Sequence, residues 1–286
     1  MAAPLMFAAR AQFMNMQAEG LLWKLSVTTG DSGTNCRVFV DIYGEEGNTG
    51  DIELGNPDGN FFQPGTTSDF AIKLPKEVGK VYKMRVSHDN SGDSNSWTLN
   101  QITMFNMTGM MLFKCERFLS PTEDDKQFVR ELPCLRPGEE PLPVKRYELD
   151  VKTGREKGAG TKATVRLMLV GEKSDTGPRI MGKHNFLNDR EDEFKKGRTA
   201  KFFIEAVDLG PITKIEVSHD GDTKKMGWYL QHILVKEDGG PSYFFAGDTW
   251  LCKERGDGVT SRELTRTGIF DDSDEGEDDD DDEDEE

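Results

Sequence analysis

One stretch of the chain occurs twice, and this duplication constrains the fold more than any single residue does. Residues 84–102 read MRVSHDNSGDSNSWTLNQI and residues 215–233 read IEVSHDGDTKKMGWYLQHI, at an offset of 131 positions. Other matched blocks lie before and after this one, at offsets between 124 and 132. Such an interval exceeds the about 20–50 residues of a solenoid repeat and is the size of a whole domain. The sequence therefore predicts two homologous domains in tandem.

Apolar residues alternate with polar ones in short runs, which indicates strands. Residues 38–42 (VFVDI) and the matched residues 165–169 (VRLML) place apolar side chains at every second position. Runs of this kind are separated by Gly, Asp, Asn and Pro clusters, as expected for strands joined by turns. One apolar face per strand is typical of two antiparallel sheets packed face to face. The predicted fold class is all-β, with two tandem antiparallel β-sandwiches.

Composition divides the chain into five parts. The net charge of −17 resides mainly in residues 271–286, which hold fourteen acids and no Lys or Arg and which we expect to be disordered. The Pro-rich run before the second copy predicts a stiff, extended linker. A disordered leader is expected at the start, with a transit peptide or an amphipathic anchor as the alternative. The predicted parts are leader 1–20, domain 21–133, linker 134–144, domain 145–266 and tail 267–286.

Several functional classes are disfavoured by what the sequence contains. Four cysteines without regular partners predict reduced thiols in an intracellular protein. No apolar run is long enough for a helix that spans a membrane. The sequence also has no stripe of basic residues, so nucleic-acid binding is not expected. His88 and His219 occupy the same repeated position, so a structural hydrogen bond is their expected role. There is no nucleophile elbow and no Walker sequence, so we do not expect an enzyme.

The repeated blocks resemble the PLAT (lipoxygenase homology, LH2) domain. L-x-V-x-T-G, G-T, F-x-x-G-x-T, V-S-H-D, W-x-L and a closing R-E-L appear in order, twice, over about 21–133 and 145–266. The resemblance implies an eight-stranded antiparallel sandwich in each copy. It also implies a non-catalytic scaffold or tether that binds protein and/or lipid partners at a membrane. The expected location is cytoplasmic and peripheral to the membrane, in a stereocilium or cilium by resemblance to tandem arrays of this domain.

Two further readings of this resemblance stay open. The chain is either a two-domain protein or part of a longer array. The alternative function is a regulatory, membrane-targeting portion of a lipoxygenase- or lipase-like enzyme whose catalytic domain lies outside this chain.

The resemblance also implies a calcium site, and calcium is the only cofactor that we expect. Calcium prefers six to eight oxygen ligands, so the loss of one carboxylate weakens a site. Asn35 stands where the family favours Asp, and Lys162 replaces the corresponding residue in the second copy. Ordinary turn chemistry is the alternative role of all these residues. The candidate ligands are Gly33, Thr34, Asn35, Asp89 and Asn90 in the first copy, and a degraded set of Gly160, Thr161 and Asp220 in the second.

Aromatic residues raise the question of membrane contact. Trp97 and Trp228 begin matched strands, and the resemblance implies that they are packed in the core. Trp250 and Phe118 are the candidates for contact with a membrane or partner, because the family exposes aromatics near this point. The near-neutral body is expected to lack a polybasic patch for anionic lipid, so docking to a protein stays open. Ser273, within the acidic tail, is a candidate for phosphorylation by acid-directed kinases.

Overall fold

The computed structural model describes residues 22–55, 59–106, 109–182 and 194–270. The predicted leader and the acidic run from 271 onward lie outside the described residues. Within these described ranges the chain forms two compact units, the first up to residue 145 with 205–208 and the second over 146–204 with 209–270. We call the sandwich of the first copy module 1 and that of the second copy module 2.

Module 1 is built from nine described strands in two antiparallel sheets. One sheet has the order β5-β1-β7-β8 and the other β3-β2-β6-β9, with β4 also paired to β2. The strands are β1 (Leu22–Thr29), β2 (Val38–Gly44), β3 (Gly47–Asn48), β4 (Ile52–Leu54), β5 (Thr67–Lys73), β6 (Val81–His88), β7 (Trp97–Asn106), β8 (Gly109–Leu119) and β9 (Val129–Pro133).

Module 2 repeats this arrangement. Its sheets have the orders β13-β10-β15-β16-β18 and β12-β11-β14-β17. The strands are β10 (Val144–Thr153), β11 (Val165–Gly171), β12 (Arg179–Met181), β13 (Thr199–Val207), β14 (Ile212–His219), β15 (Trp228–Glu237), β16 (Ser242–Leu251), β17 (Ser261–Thr265) and β18 (Gly268–Phe270).

The two modules share strand order and register. Setting aside β3 and β18, the remaining eight strands of each module correspond one to one. Val38 pairs with His88 in module 1, and Val165 pairs with His219 in module 2. Among the described residues the helical structure is confined to a 3₁₀ turn at Lys224–Met226. The prediction of two tandem antiparallel β-sandwiches is confirmed.

Each core contains a fully buried tryptophan, as the family resemblance implies. Trp97 and Trp228 are fully buried. The indole Nε1 of Trp97 donates to Thr29 Oγ1 at 3.1 Å, and that of Trp228 donates to Thr153 Oγ1 at 2.9 Å. Because a buried N–H without an acceptor is costly, each threonine fixes its indole in place. Both threonines lie at a β-bulge in the register of their strand.

Two predicted boundaries need correction. Cys134 N–H donates to the carbonyl of Tyr82 at 2.9 Å, and Leu135 pairs with Leu112. The start of the predicted linker 134–144 is therefore bound to the sheets of module 1. Val144, its last residue, already begins β10.

The predicted tail 267–286 also begins too early. Residues 268–270 form β18, which pairs with Ser242–Phe244 of β16. In both places the free backbone groups of a sheet edge offer hydrogen bonds that composition does not reveal.

Candidate functional site

The predicted calcium ligands lie in loops that meet at one end of each sandwich. We call these loops the loop end: residues 30–36, 62–66, 89–96 and 120–127 in module 1, and residues 154–163, 194–198, 220–227 and 252–258 in module 2. In module 1, Gly65 N–H donates to Gly30 O at 2.7 Å, which joins two of the loops. In module 2 the matched bond runs from Gly197 N–H to Gly154 O, also at 2.7 Å. The duplication thus reproduces the loop end in detail.

The glycine of each G-T pair is required by space. A Cβ on Gly33 would lie 2.5 Å from the carbonyl oxygen of Phe62, and a Cβ on Gly160 would lie 2.8 Å from that of Phe194. Both distances are shorter than real Cβ contacts allow, so a side chain would force the two loops apart. Gly33 and Gly160 are therefore explained by the close approach of backbone.

The threonine of each pair joins two loops through its hydroxyl. Thr34 Oγ1 donates to the carbonyl of Ser94 at 2.6 Å, and Thr161 Oγ1 donates to that of Met226 at 2.7 Å. Each hydroxyl also accepts from a backbone N–H two residues along the chain, at 3.1 Å. These bonds hold the G-T loop against the loop that follows the V-S-H-D block.

Asn35 and Asp89 are hydrogen-bonded to protein donors. Asn35 Oδ1 accepts from Ser94 N–H at 2.9 Å. Asp89 Oδ1 accepts from Arg37 N–H at 3.2 Å, from Ser91 N–H at 3.1 Å and from the Ser91 hydroxyl at 2.6 Å. Burial opposes ionisation of Asp89, but these hydrogen bonds and the charge of Arg37 together lower its pKa. Asn90 follows in the left-handed region with φ of 57°, where asparagine is tolerated.

The matched residues of module 2 have a simpler arrangement. Asp220 is exposed, and its Oδ1 accepts from Thr164 N–H at 2.8 Å. Hydrogen bonding to Thr164 lowers the pKa of Asp220. Lys162 is also exposed, and the ion pairs found in the described part of module 2 do not join it to Asp220. If the Lys162 ammonium took the place of the metal ion, it would form an ion pair with Asp220. No such ion pair is found among the described residues.

These contacts do not fit a preassembled calcium site in either module. The described ranges contain no group of three or more His, Cys, Asp or Glu residues arranged to hold a metal ion. Hydroxyl, amide and carboxylate oxygens at the predicted positions are already turned toward backbone donors. Since calcium needs six to eight oxygens, the loop end of module 1 offers at most a weak site.

The repeated histidines stabilise the loop end. His88 Nδ1 accepts from Asn90 N–H at 3.1 Å, so its Nε2 carries the proton and donates to Leu119 O at 3.1 Å. His219 makes the same pair of bonds, with Gly221 N–H at 3.0 Å and Leu251 O at 2.8 Å. Both rings are buried, and burial lowers the pKa of His88 despite its bond to Leu119. The predicted structural role of these histidines is confirmed.

Trp250 and Phe118 are both half-buried. The Trp250 ring packs edge-on against Tyr229 at 5.4 Å between centroids, and the Arg255 guanidinium lies 4.2 Å over it. The carbonyl of Phe118 accepts two hydrogen bonds from Arg130, at 2.8 and 3.1 Å. Membrane or partner contact through either residue stays a prediction. Ser273 lies outside the described residues.

Comparison with known proteins identifies the repeated sandwich. The PLAT/LH2 domain matches this chain twice, over residues 23–130 and 147–264. The chain belongs to the PLAT/LH2 domain family. The expectation drawn from the repeated motifs is confirmed.

Relatives with PLAT domains include much longer proteins. Lipoxygenase homology domain-containing protein 1 of Homo sapiens is 38% identical over 251 residues, which cover 85% of this chain and 12% of that protein. Polycystin-1 of Homo sapiens is 35% identical over 111 residues, or 38% of this chain and 2% of that protein. The chain therefore spans only a small part of the length of these relatives.

Among solved structures, this chain is similar to coral 8R-lipoxygenase. Its crystal structure matches 42% of this chain and 17% of the lipoxygenase chain, at 22% identity and a TM-score of 0.36.

In the part of this chain that the structure describes, no helix is long and apolar enough to cross a membrane.

The loop ends of the two PLAT modules differ in charge, which sequence reasoning missed. The four loops of module 1 contain six acidic residues and one basic residue, whereas those of module 2 contain ten basic and five acidic residues. The expectation that the body lacks a polybasic patch is therefore wrong for module 2. The near-zero net charge of residues 1–270 conceals this difference, because the negative charge of one loop end cancels the positive charge of the other. Comparing charges between matched loops of the two copies would have found it.

Proposed function

We propose that this chain is a non-catalytic two-module docking protein that binds protein and/or lipid partners at a membrane surface. In this role it acts as a scaffold or tether, peripheral to the cytoplasmic face. Linking two modules converts the second contact into an intramolecular event, so two weak contacts give one firmer attachment. A location in a stereocilium or cilium stays a prediction.

The observation that carries this proposal is the repetition of a complete PLAT sandwich whose buried histidines make structural hydrogen bonds. His88 and His219 are buried and hydrogen-bonded on both ring nitrogens. The four cysteines, Cys36, Cys115, Cys134 and Cys252, are free thiols, which supports a reducing compartment. A match of 251 residues to a lipoxygenase homology domain-containing protein spans both modules and favours the tandem role over the enzyme-fragment alternative.

Calcium enters this proposal only through module 1. Exposed Asp31, Asp89 and Asp93 make its loop end acidic, and calcium there would neutralise charge that opposes approach to an anionic surface. The hydrogen bonds already made by Asp89 argue for weak binding rather than a tight site. Trp250 and Phe118 are the proposed partner contacts, since a half-buried aromatic presents part of its ring to a neighbour.

Membrane flotation tests the proposed function. The intact chain is mixed with cell membranes washed free of peripheral proteins, and the mixture is floated through a density gradient. We expect the chain in the membrane fraction in a low-calcium buffer, with more of it there when calcium is added. Recovery of all the chain from the bottom of the gradient under both conditions would contradict a role at membranes.

A further inference from the structure

The loop end of module 2 exposes cations where module 1 has acidic or neutral residues. Asp31, Asn35 and Asp93 of module 1 correspond to Arg155, Lys162 and Lys224 of module 2. Pro64, Thr66 and Ser94 correspond in the same way to Lys196, Arg198 and Lys225. All six basic side chains are exposed. Three of the four loops contribute, so the change is not confined to one segment.

Hydrogen bonds between the loops hold these cations on one surface. Loop 194–198 is joined to loop 154–163 by the bond from Gly197 N–H to Gly154 O at 2.7 Å. Loop 154–163 is joined to loop 220–227 by the bond from Thr161 Oγ1 to Met226 O at 2.7 Å. A Cβ on Gly197 would lie 3.4 Å from Cγ of Arg155, which places two of the basic loops in direct contact.

The charge of this surface is available to a ligand. Within the described ranges, no ion pair involves Arg155, Lys162, Lys196, Arg198, Lys224 or Lys225. Nearby acids make other contacts: Glu254 accepts from Lys224 N–H at 3.2 Å, and Asp257 pairs with Arg262. Exposed cations from several loops that form no ion pair within the described ranges attract a surface that presents many negative charges.

Aromatic residues beside the basic loops favour a lipid surface over an acidic peptide. Tyr229 lies at the start of β15, and its carbonyl accepts from Gly154 N–H at 3.0 Å. Its ring packs against Trp250, whose face is covered by Arg255. Tyr and Trp with flanking cations are suited to the headgroup region, where one part of the ring is wet and another apolar.

We propose that the loop end of module 2 binds anionic phospholipid surfaces without calcium. Fixed Lys and Arg side chains supply there the positive charge that a bound calcium ion would supply between carboxylates and headgroup phosphates. This inference rests on the proposed role at membranes and assigns it a lipid class and a module. Module 2 then binds continuously, whereas calcium affects module 1 alone.

Sedimentation with protein-free vesicles tests this proposal. The intact chain is mixed in EGTA with vesicles of phosphatidylcholine alone or of three parts phosphatidylcholine to one part phosphatidylserine. We expect binding only to the vesicles that contain phosphatidylserine, and weaker binding as salt is raised. Each basic residue near an anionic surface contributes about fivefold, so Lys224→Glu with Lys225→Glu should weaken binding at least about 25-fold.

A matched pair of substitutions controls for net charge. Lys173→Glu with Lys236→Glu changes the charge equally at exposed positions far from the loop end, and we expect binding within about twofold of the unchanged chain. Circular dichroism checks that each variant is folded. Lys196→Glu, in a different loop, is the second variant if the first pair disturbs the 3₁₀ turn, with an expected loss of at least about fivefold.

Three results would overturn the proposal. They are absence of binding to phosphatidylserine in EGTA, equal loss in the loop-end and control variants, and binding that appears only after residues 271–286 are removed. The last result would make the acidic tail the occupant of this surface. If the chain floats with washed cell membranes but does not bind protein-free vesicles, the proposed function stands and this inference is wrong. If the chain binds in neither assay, both are wrong.

Discussion

At the scale of single residues, the family motifs serve mainly to hold loops together. The glycine of the G-T pair allows two loop backbones to approach closely, and the threonine joins two loops through its hydroxyl. The histidine makes a hydrogen bond to a backbone group through each ring nitrogen. Each bond stabilises by about 0.5–1.5 kcal/mol, and removing one partner of a buried pair costs more. The same contacts in both modules indicate that the motif specifies the shape of the loop end. What that end binds depends on the exposed residues between the motif positions.

Substitution of His88 gives a pH-dependent test at this scale. His88→Ala removes two buried hydrogen bonds, so we expect module 1 to lose about 2 kcal/mol of unfolding free energy near neutral pH. Hydrogen–deuterium exchange in urea measures the modules separately through peptides of β6 and β14. The β14 peptides are the internal control, because His219 is unchanged. Equal destabilisation of β6 and β14 would contradict the local role of His88.

The direction of the pH effect follows from the lowered pKa of His88. Its folded pKa lies below the unfolded value of 6.5, so the unfolded state binds a proton more readily. The contribution of His88 to stability is therefore complete above 6.5 and is lost as the pH falls toward the folded pKa. We expect the unchanged module 1 to lose more stability than the His88→Ala variant between about pH 7.5 and about pH 5.5. Parallel pH profiles for the two proteins would show this assignment to be wrong.

At the scale of elements, the two sandwiches differ most at their edges. Module 2 ends its larger sheet with β18, whereas module 1 has a single bridge between Leu112 and Leu135 near the matched edge. The short strand exposes Ile269 and Phe270, which are 51% and 57% accessible. A short edge strand limits the unpaired backbone that a sheet offers to other chains. The acidic run follows it directly in the sequence and adds like-charge repulsion between copies.

Two truncations test the role of β18. Removal of residues 268–286 deletes the pairing with Ser242–Phe244, and we expect module 2 to lose about 1 kcal/mol of unfolding free energy. Removal of residues 271–286 alone is the matched control and should leave thermal unfolding almost unchanged. If both truncations lower the melting temperature equally, the acidic residues rather than β18 stabilise the module.

At the scale of the whole molecule, the chain combines two copies of one fold with opposite charge at the loop ends. Module 1 has six acidic residues and one basic residue there, while module 2 has ten basic and five acidic. This distribution predicts that calcium, if added, acts on module 1 and leaves module 2 unaffected. Under the proposed function, we expect the chain to respond to calcium through module 1 and to keep the contact made by module 2.

Calorimetry of the intact chain tests this division. We expect weak calcium binding, with a Kd on the order of 10⁻³ M, because Asp89 Oδ1 and Asn35 Oδ1 already accept hydrogen bonds from protein donors. Asp89→Asn should reduce the heat, and Asp220→Asn, the matched change in module 2, should not. Comparing each variant with the unchanged chain cancels any binding by residues 271–286. Identical titrations for Asp89→Asn and the unchanged chain would remove calcium from the proposed function.

The sequence by itself determined the duplication, the sandwich class and the family. These follow from signals carried by neighbouring residues: alternation along strands such as 38–42, and motif blocks at a near-constant offset. The burial of Trp97 and Trp228 was predictable from the family resemblance, because both stand at the W-x-L position of the repeated motif. A structural role was predictable for the repeated histidine because it occurs at the same position in both copies, and no cluster of catalytic residues accompanies it in the sequence.

Only the tertiary structure decided how the loops meet and what their side chains touch. Residues far apart in the chain, such as Thr161 and Met226, come together through hydrogen bonds that no local pattern encodes. Hydrogen bonds of this kind turn the oxygens of Asn35 and Asp89 toward the backbone, and the Arg255 guanidinium covers one face of Trp250. They also bring scattered lysines and arginines of module 2 onto one surface. Total charge could not reveal that surface, because charge acts through distance in space rather than position in sequence.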